Sequence, residues 1–174
     1  MMFNLILGNF IALIASILMI YVGTIKDKSK IIFTQTLQIM ITIVSNIILG
    51  GITGAVINII CCIRNILCYK EKLNKTTQII LIILSIIFSL IFNDLGLIGL
   101  LPLISTVIYT IFMNIQDVVK FKVLIMVTTF MWFIYDLTIL SYSSALFDLL
   151  CVFTNLFSIL RIKQLDNKTK NTSN

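Results

Sequence analysis

The chain has 174 residues, of which 59% are hydrophobic and 11% charged, with a mean hydropathy of +1.10. A water-soluble domain carries about 25% charged residues and could not hide this much apolar surface, so the solvent must be lipid. Histidine is absent, which argues against zinc hydrolysis, haem ligation and histidine-based nucleophilic catalysis.

Seven apolar segments follow one another, over roughly 3–22, 31–49, 52–69, 77–92, 96–115, 122–140 and 144–161. Each is close to the roughly 20 residues that cross a hydrocarbon core of about 30 Å. The runs are long and continuous rather than alternating, which predicts helices and not barrel strands. No positive residue precedes the first segment and no small-residue cleavage site follows it. The cluster Lys26-Asp27-Lys28-Ser29-Lys30 follows instead, which reads as a stop-transfer signal rather than the end of a signal peptide.

The second segment carries Gln35 and Gln38, spaced i, i+3, and closes at Gly50-Gly51. Those glycines predict a left-handed helix cap and a tight hairpin into the third segment. The third reads GAVINIICCIRNILCYK, with Asn58, Cys61 and Asn65 at i, i+3, i+7 on one face. Its Arg64 is expected to snorkel toward the headgroups. The fifth segment holds Pro102, the single proline, and the sixth holds Trp132 and Asp136. A second tight hairpin leads to the seventh, where Asp148, Cys151 and Asn155 repeat the spacing of Asn58, Cys61 and Asn65. The four cysteines form no C-x-x-C pair and read as small apolar packing residues. The polar end, 164–174, is expected to be a disordered tail.

The connections after segments 1, 3 and 5 and the C-terminal tail, with Arg64 and Arg161 near the same ends, hold all 13 basic residues. The opposite side shows Asn4, Gly50-Gly51, Asn93-Asp94 and Ser141-Tyr142-Ser143. The positive-inside rule then predicts an external N-terminus and a cytoplasmic C-terminus. This segregation explains the net charge of +6 without nucleic acid as a partner.

Residues 8–70 align without a gap on 98–160, an offset of ninety. Asp27 falls on Asp117, Lys30 on Lys120, Asn46 on Asp136, Asn58 on Asp148 and Asn65 on Asn155. Polar residues are scarce in the segments, so their coincidence carries more weight than overall identity. The expected fold is an all-α membrane protein of seven transmembrane helices in a 3+1+3 arrangement. A first three-helix repeat spans 1–72, a linker helix 73–95 and a second, parallel repeat 96–163. Such repeats place a substrate site at their interface.

The stretches GGITGAVINIICCIRNILCYK, LPLISTVIYT and MWFIYD, with the closing Arg161, resemble the YgjV-type bacterial inner-membrane proteins over about residues 5–163. That family brings no established activity. It is grouped with PQ-loop, SWEET and MtN3-like proteins, so the resemblance implies a SWEET-like fold and a bacterial inner-membrane location. SWEET-like carriers have a proline in the first helix of each repeat. Here Pro102 has Ala12 as its counterpart, and there is no Pro-Gln pair. The SWEET pattern also sets an asparagine of each third helix against the substrate. Asn58 matches it, while Asp148 takes the second place.

The candidate substrate-binding residues are therefore Asn58, Asp148, Trp132, Asn65 and Asn155. An ionised carboxylate facing lipid is costly, so Asp148 should face the bundle interior as a hydrogen-bonder or proton carrier. Asn58 donates and accepts, as sugar or amino-acid recognition requires, and Trp132 offers a stacking face. Asn65 and Asn155 continue the same stripes, with helix–helix glue as the competing reading. Asp136 and Asn46 fit an outer vestibule or hairpin caps, and Gln35, Gln38 and Arg64 an inner gate. Two functions compete: facilitation of a small polar solute, a sugar or similar, by alternating access, and a non-transporting receptor or assembly partner. An enzyme is not expected, and no cofactor or metal is implied. Membrane lipid and a small polar solute are the expected partners, and a homo-oligomer stays open.

Overall fold

The computed structural model describes residues 2–93 and 95–172, with side chains at all of these except 163 and 165–172. Among the described residues eight helices form: α1 Met2–Thr24, α2 Lys28–Leu49, α3 Ile52–Tyr69, α4 Lys75–Phe92, α5 Gly96–Gly99, α6 Leu101–Phe112, α7 Val118–Thr138 and α8 Tyr142–Thr172. Six of them are long and apolar enough to cross a membrane, and α5 with α6 forms a shorter apolar helical segment, fifth in chain order, over Gly96–Phe112. The expected tail over 164–174 is described mainly by the backbone of α8 to Thr172, and Ser173 and Asn174 lie outside the described residues.

The fifth segment is broken where the sequence reading left it continuous. Pro102 stands in the first turn of α6, just after the turn at Leu100. Proline has no N–H to give the preceding turn, its ring crowds the carbonyl four residues back, and it disfavours helical geometry in the residue before it. Ala12, at the matching place in α1, imposes no such break, and α1 runs through 23 residues.

The helices α2 and α7 begin earlier than their apolar runs because each has an aspartate cap. Asp27 Oδ1 accepts from the Lys30 backbone N–H at 2.9 Å, and Asp117 Oδ1 accepts from that of Lys120 at 2.9 Å. Both satisfy N–H groups that a helix start leaves without an internal partner. The two hairpins match as closely. Gly51 N–H donates to Asn46 O at 2.8 Å, and Ser141 N–H donates to Asp136 O at 2.9 Å. Gly50, at φ 84°, and Leu140, at φ 60°, take the left-handed conformation that this cap needs. All four pairs of atoms are related by the ninety-residue offset.

In space α2 packs between α1 and α3, and α7 packs between α6 and α8. The two trios meet where α1 lies on α8 and where α3 meets α6, and α4 leans on α3 and α6 from outside. Of α4 only Leu81, Ser85 and Ser89 are buried, one narrow face, while Ile79, Ile80, Ile83 and Leu90 point outward. An outward apolar surface is what lipid solvates. The apolar core gathers toward the lysine-bearing ends of the helices, around Val22, Ile31, Met113, Phe121 and Ile125, all fully buried. The middle of the bundle is different, because its interior is polar.

Candidate functional site

A cavity of about 80 Å³ lies between the two trios. Twelve of its lining residues are six pairs at the ninety-residue offset: Ser16 with Thr106, Met19 with Tyr109, Gln38 with Thr128, Ile39 with Thr129, Thr42 with Trp132, and Asn58 with Asp148. Gln35, Cys61, Arg64, Ser105, Asp136 and Ser144 complete the wall, and α4 supplies none of it. The stripe on α3 and its counterpart on α8 thus face inward together, as the high cost of a lipid-facing carboxylate requires.

Three of the five candidate residues, Asn58, Asp148 and Trp132, line this cavity. The Trp132 ring meets Tyr135 edge-on at 5.7 Å, which fixes its plane on the wall. The other two, Asn65 and Asn155, are fully buried and lie outside the lining. Each instead accepts from a buried cation. Asn65 Oδ1 takes Nε and Nη2 of Arg64 at 3.1 and 2.9 Å. Asn155 Oδ1 stands 3.5 Å from Lys122 Nζ, which also donates to Gly23 O at 2.8 Å. Gly23 belongs to the last turn of α1, where the helix dipole favours positive charge.

Arg64 does not snorkel. It is 4% exposed, and its guanidinium lies 4.3 Å from the centre of the Tyr109 ring. The aromatic face and the Asn65 carbonyl take the place that lipid headgroups would have had. The Tyr109 hydroxyl donates to Gln35 Oε1 at 2.7 Å, joining α6 to α2 beneath the cavity. Lys122, which the charge segregation counts with the connection after segment 5, is fully buried within α7. The signal was positional: Lys122 follows the capping Asp117 by more than a full turn.

Asp136, expected in a vestibule or a cap, does both structural duties at once. Its backbone closes the hairpin, and its side chain lines the cavity at 3% exposure. It lies close enough to Asp148 for the two carboxylates to interact electrostatically. Four solvent-shielded polar atoms on the wall make no hydrogen bond: Asn58 Nδ2, Arg64 Nη1, Asp136 Oδ1 and Asp148 Oδ2. An unmade hydrogen bond of this kind costs about 1–3 kcal/mol, and more for a charged group. The wall is therefore built for a polar occupant.

The bacterial inner membrane protein family Imp-YgjV matches residues 6–166. The chain belongs to this family. Its members' description places it in the bacterial inner membrane, in keeping with six long apolar helices. No curated protein and no solved structure matches the chain. Among the described residues no cluster of histidine, cysteine, aspartate or glutamate could hold a metal ion. What the site offers is hydrogen bonding and charge: a polar wall of serine, threonine and amide groups, two carboxylates and one guanidinium.

Proposed function

We propose that this inner-membrane protein is a facilitator that moves a small polar solute by alternating access. In this reading two parallel three-helix repeats, α1–α3 and α5–α8, rock about the central cavity, with α4 as the linker. The observation that carries it is the cavity wall. Six equivalent pairs from the two halves surround a polar space whose shielded atoms lack partners. A site shared evenly between repeats is where alternating-access carriers hold their substrate. Further support comes from the matched caps and hairpins, which give both halves the same backbone frame. Asn58 and Asp148 are assigned to solute recognition, Trp132 to the wall, and Asn65 and Asn155 to positioning the cations beside it. No catalysis is assigned.

The same reading sets the N-terminus outside and the C-terminus in the cytoplasm, because the lysine-bearing ends then face inward. A reporter fused after Lys170 is expected to lie in the cytoplasm, and a tag before Met2 to be accessible only from outside. The transport reading is tested in proteoliposomes loaded with small polar solutes. Equilibration of at least one solute faster than in empty vesicles is expected. If every solute leaks at the empty-vesicle rate, a receptor or assembly partner replaces the carrier.

A further inference from the structure

The charges on the cavity wall are sorted by depth. Asp136 stands in the last turn of α7, and Asp148 and Asn58 each lie six residues into α8 and α3, about 9 Å from the hairpin ends at helical rise. Arg64 lies six residues further along α3, about 9 Å deeper, with Tyr109 and Gln35 around it. One end of the cavity therefore carries two carboxyl groups and the other a guanidinium. At each end a charged group has an atom shielded from solvent and without a hydrogen bond: Asp136 Oδ1 and Asp148 Oδ2 at one, Arg64 Nη1 at the other. Asn58 Nδ2, also unpartnered, lies level with Asp148 along the helices.

Each class of solute leaves a different remainder. A neutral sugar would give hydroxyls to the carboxylates but leave the guanidinium without a counter-charge. A simple cation would satisfy the aspartates and face Arg64 with like charge. A simple anion would do the reverse. A solute with an ammonium at one end and a carboxylate at the other satisfies both ends. The ammonium donates to Asp136 and Asp148, and the carboxylate accepts from Arg64 in a charge-assisted pair. The small cavity, about 80 Å³, suits a solute of few heavy atoms.

We propose that the cavity binds a small zwitterion of the amino-acid type, ammonium toward the hairpin end and carboxylate toward Arg64. The proposal rests on the reading of this cavity as the solute site, and it names the solute's class.

The test is a binding titration on the purified full-length protein with six probes. Glycine, β-alanine and γ-aminobutyrate are zwitterions of increasing charge separation. Glycinamide carries only the cation, acetate only the anion, and glucose neither. The expected result is that one zwitterion binds about 10- to 100-fold tighter than glycinamide, acetate or glucose, the range that charged hydrogen bonds provide. The preferred zwitterion then reads the distance between the two ends. In Arg64→Gln, that zwitterion should fall to the affinity of glycinamide, while Arg64→Lys should keep part of the preference. The wild-type panel decides the matter even if Arg64→Gln fails to fold. Equal binding of glycinamide, of acetate or of glucose overturns the proposal, and so does the absence of binding by all six probes. Tracer exchange in proteoliposomes separates this from the transport reading. A zwitterion that binds but does not exchange removes the carrier and leaves the zwitterion site. Glucose exchange without zwitterion binding does the opposite.

Discussion

The first half of the chain and the second have matching caps and hairpins and differ in charge. Their helix starts are capped by Asp27 and Asp117 at the same distance, and their hairpins close through the same backbone bonds. Inside the cavity the correspondence stops at chemistry. Asn58 corresponds to Asp148, Asn46 to Asp136, and Arg64 to Thr154. The first half supplies the only guanidinium of the wall, and the second half supplies both carboxylates. Backbone geometry is set by caps and turns, which tolerate little change. Wall residues are free to diverge once the frame stands, and here they diverge into opposite signs.

The sharpest way to break this comparison is to compare the two buried cations. Arg64 lines the cavity and Lys122 does not. Arg64→Gln should weaken zwitterion binding about 10- to 100-fold. Lys122→Met should leave binding unchanged but cost about 1–3 kcal/mol of stability, because Gly23 O and Asn155 Oδ1 lose their buried donor. Thermal melting and titration of both variants check this. Loss of binding in Lys122→Met alone would move the site to the lysine-bearing end.

A smaller effect separates Gly54 from its counterpart Ser144. A methyl group at Gly54 would stand 2.7 Å from Tyr135 Cε1 and 2.9 Å from Asn46 Nδ2, where the Tyr135 side chain of α7 reaches α3. The aromatic ring has little room to give, so Gly54→Ala should cost about 1–3 kcal/mol of stability. Ser144 lies on the cavity wall, and Ser144→Ala should cost less than about 1 kcal/mol. Melting temperatures of the purified variants decide it, and equal losses would mean that the two halves pack alike at this point.

The smallest expected effect is a symmetry. Asp27→Ala and Asp117→Ala should each cost about 1 kcal/mol, the usual worth of an N-cap. Denaturation of the two variants should shift by similar amounts. A large loss from one and none from the other would show that only one half relies on its cap.

Much of this was legible in the sequence. Continuous apolar runs gave the seven segments, Gly50-Gly51 gave the first hairpin cap, and the stripe of Asn58, Cys61 and Asn65 gave the inward face of α3. The matching stripe in α8 identified Asp148 as interior, since lipid would not accept its charge. The sequence reading went astray at residues near helix ends. There Arg64 and Lys122 have a generic partner in the headgroups, so nothing local says that they turn inward. Their burial depends on the Tyr109 ring and on the Gly23 carbonyl, which are distant in sequence. Asp136 fits both readings that its position beside a hairpin offers: its backbone closes the hairpin and its side chain lines the cavity. The break at Leu100 follows from Pro102, whose ring and missing N–H disfavour a continuous helix there.

The central claim, that the cavity opens to each side of the membrane in turn, has a built-in reporter. Cys61 lines the cavity, its Sγ 3.2 Å from Thr106 Oγ1. With Cys62→Ala, Cys68→Ala and Cys151→Ser in place, it is the only thiol left. A membrane-impermeant thiol reagent is applied from one face of oriented vesicles or from the other, and labelling of Cys61 is measured. The alternating-access account predicts labelling from both faces, slowed when a bound solute fills the cavity. Labelling from one face alone, or from neither, contradicts it.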